Sequence, residues 1–182
     1  MKKIICLLIV LSLVIIDGVC LAQIKKTKDD FTGNVEIYSQ YTLNEAFINN
    51  GFWGMNETQY FLIKSLNQND NPYTIKIVLK MYGNPSTDTP TFGQNAYLKV
   101  GEKIYTLNLI RSEYKHEFND LGDLKGTYEF PLEVVDTLKD SNVPVILRTE
   151  WSHTGESSNI KDFKVPKSLI REWKRVIITE LE

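Results

Sequence analysis

Residues 73–82, YTIKIVLKMY, alternate with a regularity that few structures accommodate. Tyr73, Ile75, Ile77, Leu79 and Met81 fall on one side, and Thr74, Lys76, Val78, Lys80 and Tyr82 on the other. Period two predicts a β-strand with one buried and one wet face. Such a strand needs neighbours, because its backbone groups must be paired and its apolar face covered.

The neighbours are legible on both sides. Before it, TQYFLIKSL reads as a strand joined through the turn-rich NQNDNP, and Val35, Ile37, Ser39 and Tyr41 alternate with polar residues to give the first strand. After it, GNPSTDTPTFGQ is a loop by composition, since proline and glycine interrupt regular structure. AYLKVGEKIYTLNL then reads as a hairpin, with Gly101 free to take the positive φ of a two-residue turn. Ala96, Leu98, Val100, Tyr105, Leu107 and Leu109 share its core face. EYKHEF extends the sheet, NDLGDLKG is expected to break it, and TYEF is a short strand. VPVILRTEW follows, with Val145, Leu147, Thr149 and Trp151 on one face, and IKDFKV is another short strand.

Three helices are expected between and after these strands. In TLNEAFINNG, Thr42 can cap and Glu45 can complete a capping box, with Gly51 as the stop. Pro131 suits the first turn of a second helix, in which Leu132, Val135 and Leu138 lie at helical spacing. Pro166 opens the third. There Leu169, Ile170, Trp173, Val176, Ile177 and Leu181 form an apolar stripe, and the β-branched residues 176–179 weaken the final turns. The expected fold is mainly β: an antiparallel sandwich or partly open barrel with two short helices and a C-terminal amphipathic helix. The alternative is an α+β fold with a single sheet backed by helices.

The first 22 residues have a separate logic. Lys2 and Lys3 precede a thirteen-residue run, Ile4 to Ile16, in which only Ser12 is polar. That run is short of the ~20 apolar residues of a membrane span but matches a signal-peptide core. Small side chains at Cys20 and Ala22 predict cleavage before Gln23, and export to the periplasm or beyond. Lipid attachment at Cys20 is the alternative, disfavoured by Val19 and Asp17 at positions where small and aliphatic residues are expected. Residues 1–22 are thus read as a signal peptide, 23–32 as a polar tether and 33–182 as one β-rich domain of a bacterial chain.

Processing decides the available chemistry. Cys6 and Cys20 are the two cysteines, so a chain cut after Ala22 carries neither disulfide, thiol nucleophile nor thiolate ligand. Removing Lys2, Lys3 and Asp17 from 21 basic and 23 acidic residues leaves 19 and 22, a mildly acidic chain. That balance argues against a nucleic-acid partner, which calls for a concentrated positive field. Lys167, Arg171, Lys174 and Arg175 are the densest basic group and read as the solvated face of the last helix.

Catalytic signatures are sparse. Neither a glycine-rich phosphate loop nor a Gly-x-Ser-x-Gly elbow occurs. Ser112/Lys115 and Ser158/Lys161 match Ser-x-x-Lys without the motifs that accompany it in enzymes, and read as surface pairs. His116 is expected on the apolar side of its strand with Tyr114 and Phe118, as a partly buried structural residue. His153, Glu150 and Glu156 are the candidates for a metal or an activated water, although no metal or cofactor is expected. A calcium loop at Asp120 and Asp123 lacks the required ligand spacing.

The remaining signal is aromatic. Trp53 lies between Gly51 and Gly54, where a rigid flat face can be offered at little entropic cost. Trp151 and Arg148 are further ligand-binding candidates, on opposite faces of their strand. The reading is therefore a non-catalytic binding or interaction module of the cell envelope, with a protein or glycan partner. Alternatives are an inhibitor or immunity protein against a secreted toxin or hydrolase, and a carboxylate-dependent hydrolase.

Overall fold

The computed structural model describes residues 23–49, 52–66, 71–82, 89–116, 121–140, 142–152 and 158–181. Among these residues ten strands form one antiparallel sheet curled into a half-barrel. They are β1 (Gln23–Lys28), β2 (Val35–Asn49), β3 (Phe52–Ser65), β4 (Tyr73–Tyr82), β5 (Thr91–Phe92), β6 (Asn95–Val100), β7 (Lys103–His116), β8 (Leu121–Glu129), β9 (Val145–Ser152) and β10 (Asn159–Lys164). Among the described residues two helices accompany them, α1 (Leu132–Asp140) and α2 (Lys167–Ile178). The sheet runs β1-β2-β3-β4-β8-β7-β6-β9-β10, with β5 paired to β9.

β7 makes the curl. Residues 103–108 pair with β6, whereas Leu109 and residues beyond it pair with β8. A register shift between Leu109 and Arg111 leaves Ile110 as an extra residue, exposed outside the ladder. The bulge reverses the alternation: Leu107 faces inward before it, and Ser112 and Tyr114, opposite Gly126 and Leu124, face inward after it. A bulge also bends and twists its strand, which lets one strand serve two halves of a folded sheet.

The inner faces meet in a core of Ile37, Tyr60, Leu62, Ile75, Ile77, Leu98, Leu107, Leu124, Tyr128 and Leu147, closed at one end by α2. The apolar stripe of α2 behaves as its spacing requires, with Leu169, Ile170, Trp173, Val176 and Ile177 all buried. Trp173 meets Phe130 edge-on, ring centroids 6.0 Å apart. The helix stops at Ile178 because Thr179 is extended (φ −72°, ψ 129°), where the β-branched run weakens the helix.

Several local expectations are corrected. Residues 42–49 do not form a helix; they continue β2 through a ladder of fourteen residue pairs from Glu36↔Ser65 to Asn49↔Phe52. A capping box satisfies two backbone groups, whereas the ladder serves the whole segment. NDLGDLKG does not break the sheet, since Leu121–Glu129 is the central strand β8. Its glycines lie beneath rings: a Cβ on Gly126 would come within 2.6 Å of Phe92, and one on Gly122 would overlap Tyr114. Gln23–Lys28, expected as part of a tether, forms the edge strand β1 against residues 35–40 of β2. In α1 the buried residues are Val134, Val135 and Leu138, while Leu132 is exposed. β4 is buried more completely than its alternation implies, because Thr74 and Val78 on its outer face are covered as well. Its central position supplies neighbours on both sides: Lys125 and Gln59 flank Val78, and Ile63 flanks Thr74.

Candidate functional site

Antiparallel pairing gives the half-barrel two ends. β2, β4, β7 and β9 run toward one end, and α1, the β6–β7 turn and the start of α2 lie at the other. The aromatic candidates belong to the first end. Trp53 pairs with Ile48 near the tip of the β2–β3 hairpin, beyond Glu57, where the pairing of β3 with β4 stops. The side chain of Trp53 lies outside the described residues. Trp151 is half-buried on the inner face of β9, opposite Asn159 and Phe92.

Arg148 lies on the outer face, and both halves of its guanidinium edge are engaged. Nε donates to Asp162 Oδ1 at 2.6 Å and Nη2 to Oδ2 at 2.7 Å. The hydrogen bonds and positive charge of Arg148 hold the Asp162 carboxyl below the usual carboxylate range. Arg148 and Trp151 thus face opposite sides of β9.

The titratable candidates do not converge. His116 ends β7 opposite Gly122 and is exposed, not partly buried as its neighbours imply, because the strand runs past the core there. Glu150 is half-buried on β9, while His153 and Glu156 lie outside the described residues. Among the described residues no three His, Cys, Asp or Glu side chains are grouped to hold a metal ion. Asp123 lies in β8 with Lys125 Nζ 3.9 Å away, and Asp120 is outside the described residues. Ser112 is occupied structurally, since its Oγ accepts from the Phe92 amide at 3.1 Å. Lys161 donates to Thr58 Oγ1 at 3.4 Å, across the interior from β10 to β3.

A concavity lies at the opposite end. A groove of about 730 Å³ runs between the start of β9 and α2. One wall is Asn142, Val143 and Pro144, the floor is Val145 and Val165, and the other wall is α2, which contributes Lys167, Ser168, Ile170, Arg171 and Lys174. Lys164, at the end of β10, completes a set of four cations. Among the described residues the lining includes no carboxylate, imidazole or thiol.

Local sequence explains both walls. Gly101 takes φ 60° in the β6–β7 turn, and its amide donates to Pro144 O at 3.0 Å. A Cβ at Gly101 would press on Val143 Cγ2 at 3.3 Å, so glycine lets the two turns pack closely. Val165 N donates to Val145 O at 2.9 Å, carrying the β9–β10 ladder one step further before Pro166 turns the chain into α2. In α2 the apolar residues face the core, so positions 167, 171 and 174 fall together on the side toward the groove. Arg175 is diverted to Glu172, 2.9 Å away. The basic group read from sequence as a solvated face is thus divided, with three members lining a concave surface beside Lys164.

Comparison with known proteins returns no family model, no curated protein and no solved structure that matches this chain.

The sequence reading did not single out Lys164, Val143 or Pro144. The available signal was the helical spacing of Lys167, Arg171 and Lys174 beside an extended Val-Pro step, but their opposition to Val143 and Pro144 depends on the distant turn at Gly101.

Proposed function

We propose that this chain is a non-catalytic binding module exported to the cell envelope, and that the groove between β9 and α2 takes an anionic ligand. The observation that carries the reading is the groove's lining, which among the described residues combines four cations with an apolar floor, on a chain of net charge −2. Local positive charge attracts anions to the groove, while the acidic surface elsewhere on the protein repels them. The volume falls within the range of ligand-binding clefts, which typically combine apolar walls with a few polar groups. A site of lysines, one arginine and one serine fits recognition better than acid–base or nucleophilic chemistry, which would call for a tuned pair of groups. Export rests on the basic start and short apolar core of residues 2–16. β1 begins at Gln23, so cleavage after Ala22 would leave the whole sheet in the released chain.

The test is a titration of the chain beginning at Gln23 with fluorescein-labelled poly-L-glutamate at low and high salt, followed by anisotropy. Binding that weakens with salt and is lost in Lys164→Glu/Arg171→Glu supports the reading. Neutral binding, or binding indifferent to the charge reversal, would overturn it. Intact mass of the exported protein tests the other half: a species beginning at Gln23 is expected, and an acylated species beginning at Cys20 would replace it with a lipid anchor.

A further inference from the structure

The groove's two walls differ in kind, and this difference narrows the ligand. The α2 wall is a row of charge. Lys167, Arg171 and Lys174 are spaced by four and then three residues, so the row extends about 10 Å along the helix axis at 1.5 Å per residue. The opposite wall is Val143 and Pro144, with Val143 41% exposed although it lines a concavity. A single phosphate or carboxylate would not span Lys167 and Arg171, one helical turn apart on this wall. An acyl chain would lie in an open trough, with much of its length still in water.

An extended peptide meets both walls at once. Its successive side chains point to opposite sides, and those on one side recur about every 6.6 Å. That repeat is close to the ~6 Å rise between Lys167 and Arg171, one helical turn apart. Carboxylates at alternate positions would face the cations of α2, while apolar side chains between them would face Val143 and Pro144. Resting on the anion-binding reading above, we propose that the groove docks an extended acidic segment of a partner protein. In that segment, about five residues long, acidic and apolar side chains alternate.

The experiment compares labelled peptides of identical composition on the chain beginning at Gln23. One alternates glutamate with leucine; the other carries the same residues in two blocks. Poly-L-glutamate and vesicles of phosphatidylglycerol in phosphatidylcholine complete the set. The alternating peptide is expected to bind about tenfold more tightly than the block peptide, a difference of about 1.4 kcal/mol. Lys167→Glu/Arg171→Glu should abolish binding of both peptides. Val143→Ser, which removes the apolar contact without adding charge, should bring the alternating peptide down to the block peptide.

Thermal midpoints guard against misfolding, since Lys167 and Arg171 are exposed on α2 and all three substitutions leave its buried stripe intact. Equal binding of the two peptides and of poly-L-glutamate would sink the alternating segment while leaving an anion site. Binding of vesicles without peptides would replace it with a lipid surface. Self-association lost in Arg171→Glu would replace it with a second copy of the chain. Failure of every anionic probe would remove the segment and the anion site together.

Discussion

Phe163 on β10 lies flat against Tyr60 on β3, with ring centroids 4.0 Å apart and planes 6° from parallel. The two strands are at different places in the sheet order and share no ladder. Tyr41 on β2 adds a second ring, 5.8 Å from Phe163. The curled sheet is therefore held across its interior by aromatic contact where backbone pairing does not reach. The same contact sets the path of β10 into Val165 and α2, which form the floor and one wall of the groove.

Truncation of that ring should be costly. Phe163 is 6% exposed, and removing a buried phenyl group costs about 3–5 kcal/mol. In Phe163→Ala the urea midpoint should fall accordingly and the thermal midpoint by roughly ten degrees. Phe163→Leu, which keeps much of the volume, should lose less. A cost below about 1 kcal/mol for the alanine variant would mean that the stack does not hold β10 in place.

Gly126 tests the packing beneath β5. A methyl group there would meet the Phe92 ring at 2.6 Å, so Gly126→Ala should destabilise by about 1–3 kcal/mol. Phe92→Ala alone should also destabilise, by removing a ring buried to 3% exposure and set edge-on to Tyr128 at 6.2 Å. Because the two changes share one space, the double variant should be more stable than the sum of the single losses predicts. Strict additivity in the double-mutant cycle would show that Phe92 does not cover Gly126.

This pair also marks the limit of what the sequence revealed. The alternating strands from Tyr73 and Val145, the Gly101 hairpin and the α2 stripe were legible because each is written in local periodicity. β8 was legible only in its last residues, read as the short strand TYEF; the glycines of its first part are turn signals locally and become strand residues only under rings supplied by Phe92 and Tyr114. Residues 42–49 failed in the opposite direction: a local cap lost to the cross-strand pairs from Thr42↔Gln59 to Asn49↔Phe52. The groove was half legible. Lys167, Arg171 and Lys174 could be grouped by helical spacing, but whether they met water or a second wall depended on Gly101 and Pro144, far away in sequence.

The Arg148–Asp162 pair gives a pH-dependent signature. Its hydrogen bonds and charge lower the Asp162 carboxyl below its ordinary value in the folded chain. The pair's stabilisation is therefore complete above the ordinary aspartate range, near 3.9, and is lost as pH falls through the lowered value. Both side chains are about half exposed, so the effect on global stability is small. Carbon-detected titration of Asp162 should show a depressed midpoint that rises toward the ordinary value in Arg148→Ala, with little change in thermal midpoint at neutral pH. An ordinary midpoint in the unaltered chain would mean that the pair does not persist in solution.

Lys64 fastens the far end of the helix that carries the groove. Its ammonium donates to Ile177 O at 3.0 Å and Thr179 O at 2.8 Å, and lies 5.6 Å from the centroid of the Tyr73 ring. These carbonyls are in the last turn of α2 or just past it, where intrahelical donors run out and positive charge is favourable. Lys64→Met keeps the aliphatic stem and removes the donor, so it should cost about 1–3 kcal/mol in urea unfolding. Amide exchange should accelerate first in residues 176–179. Lys167 and Arg171 lie in the first half of α2 and Lys164 precedes it, so poly-L-glutamate affinity should stay within about twofold, a change of less than 0.5 kcal/mol. Loss of affinity in step with stability would mean that α2 moves as one rigid body and that Lys64 sets the groove's geometry as well as the helix's end.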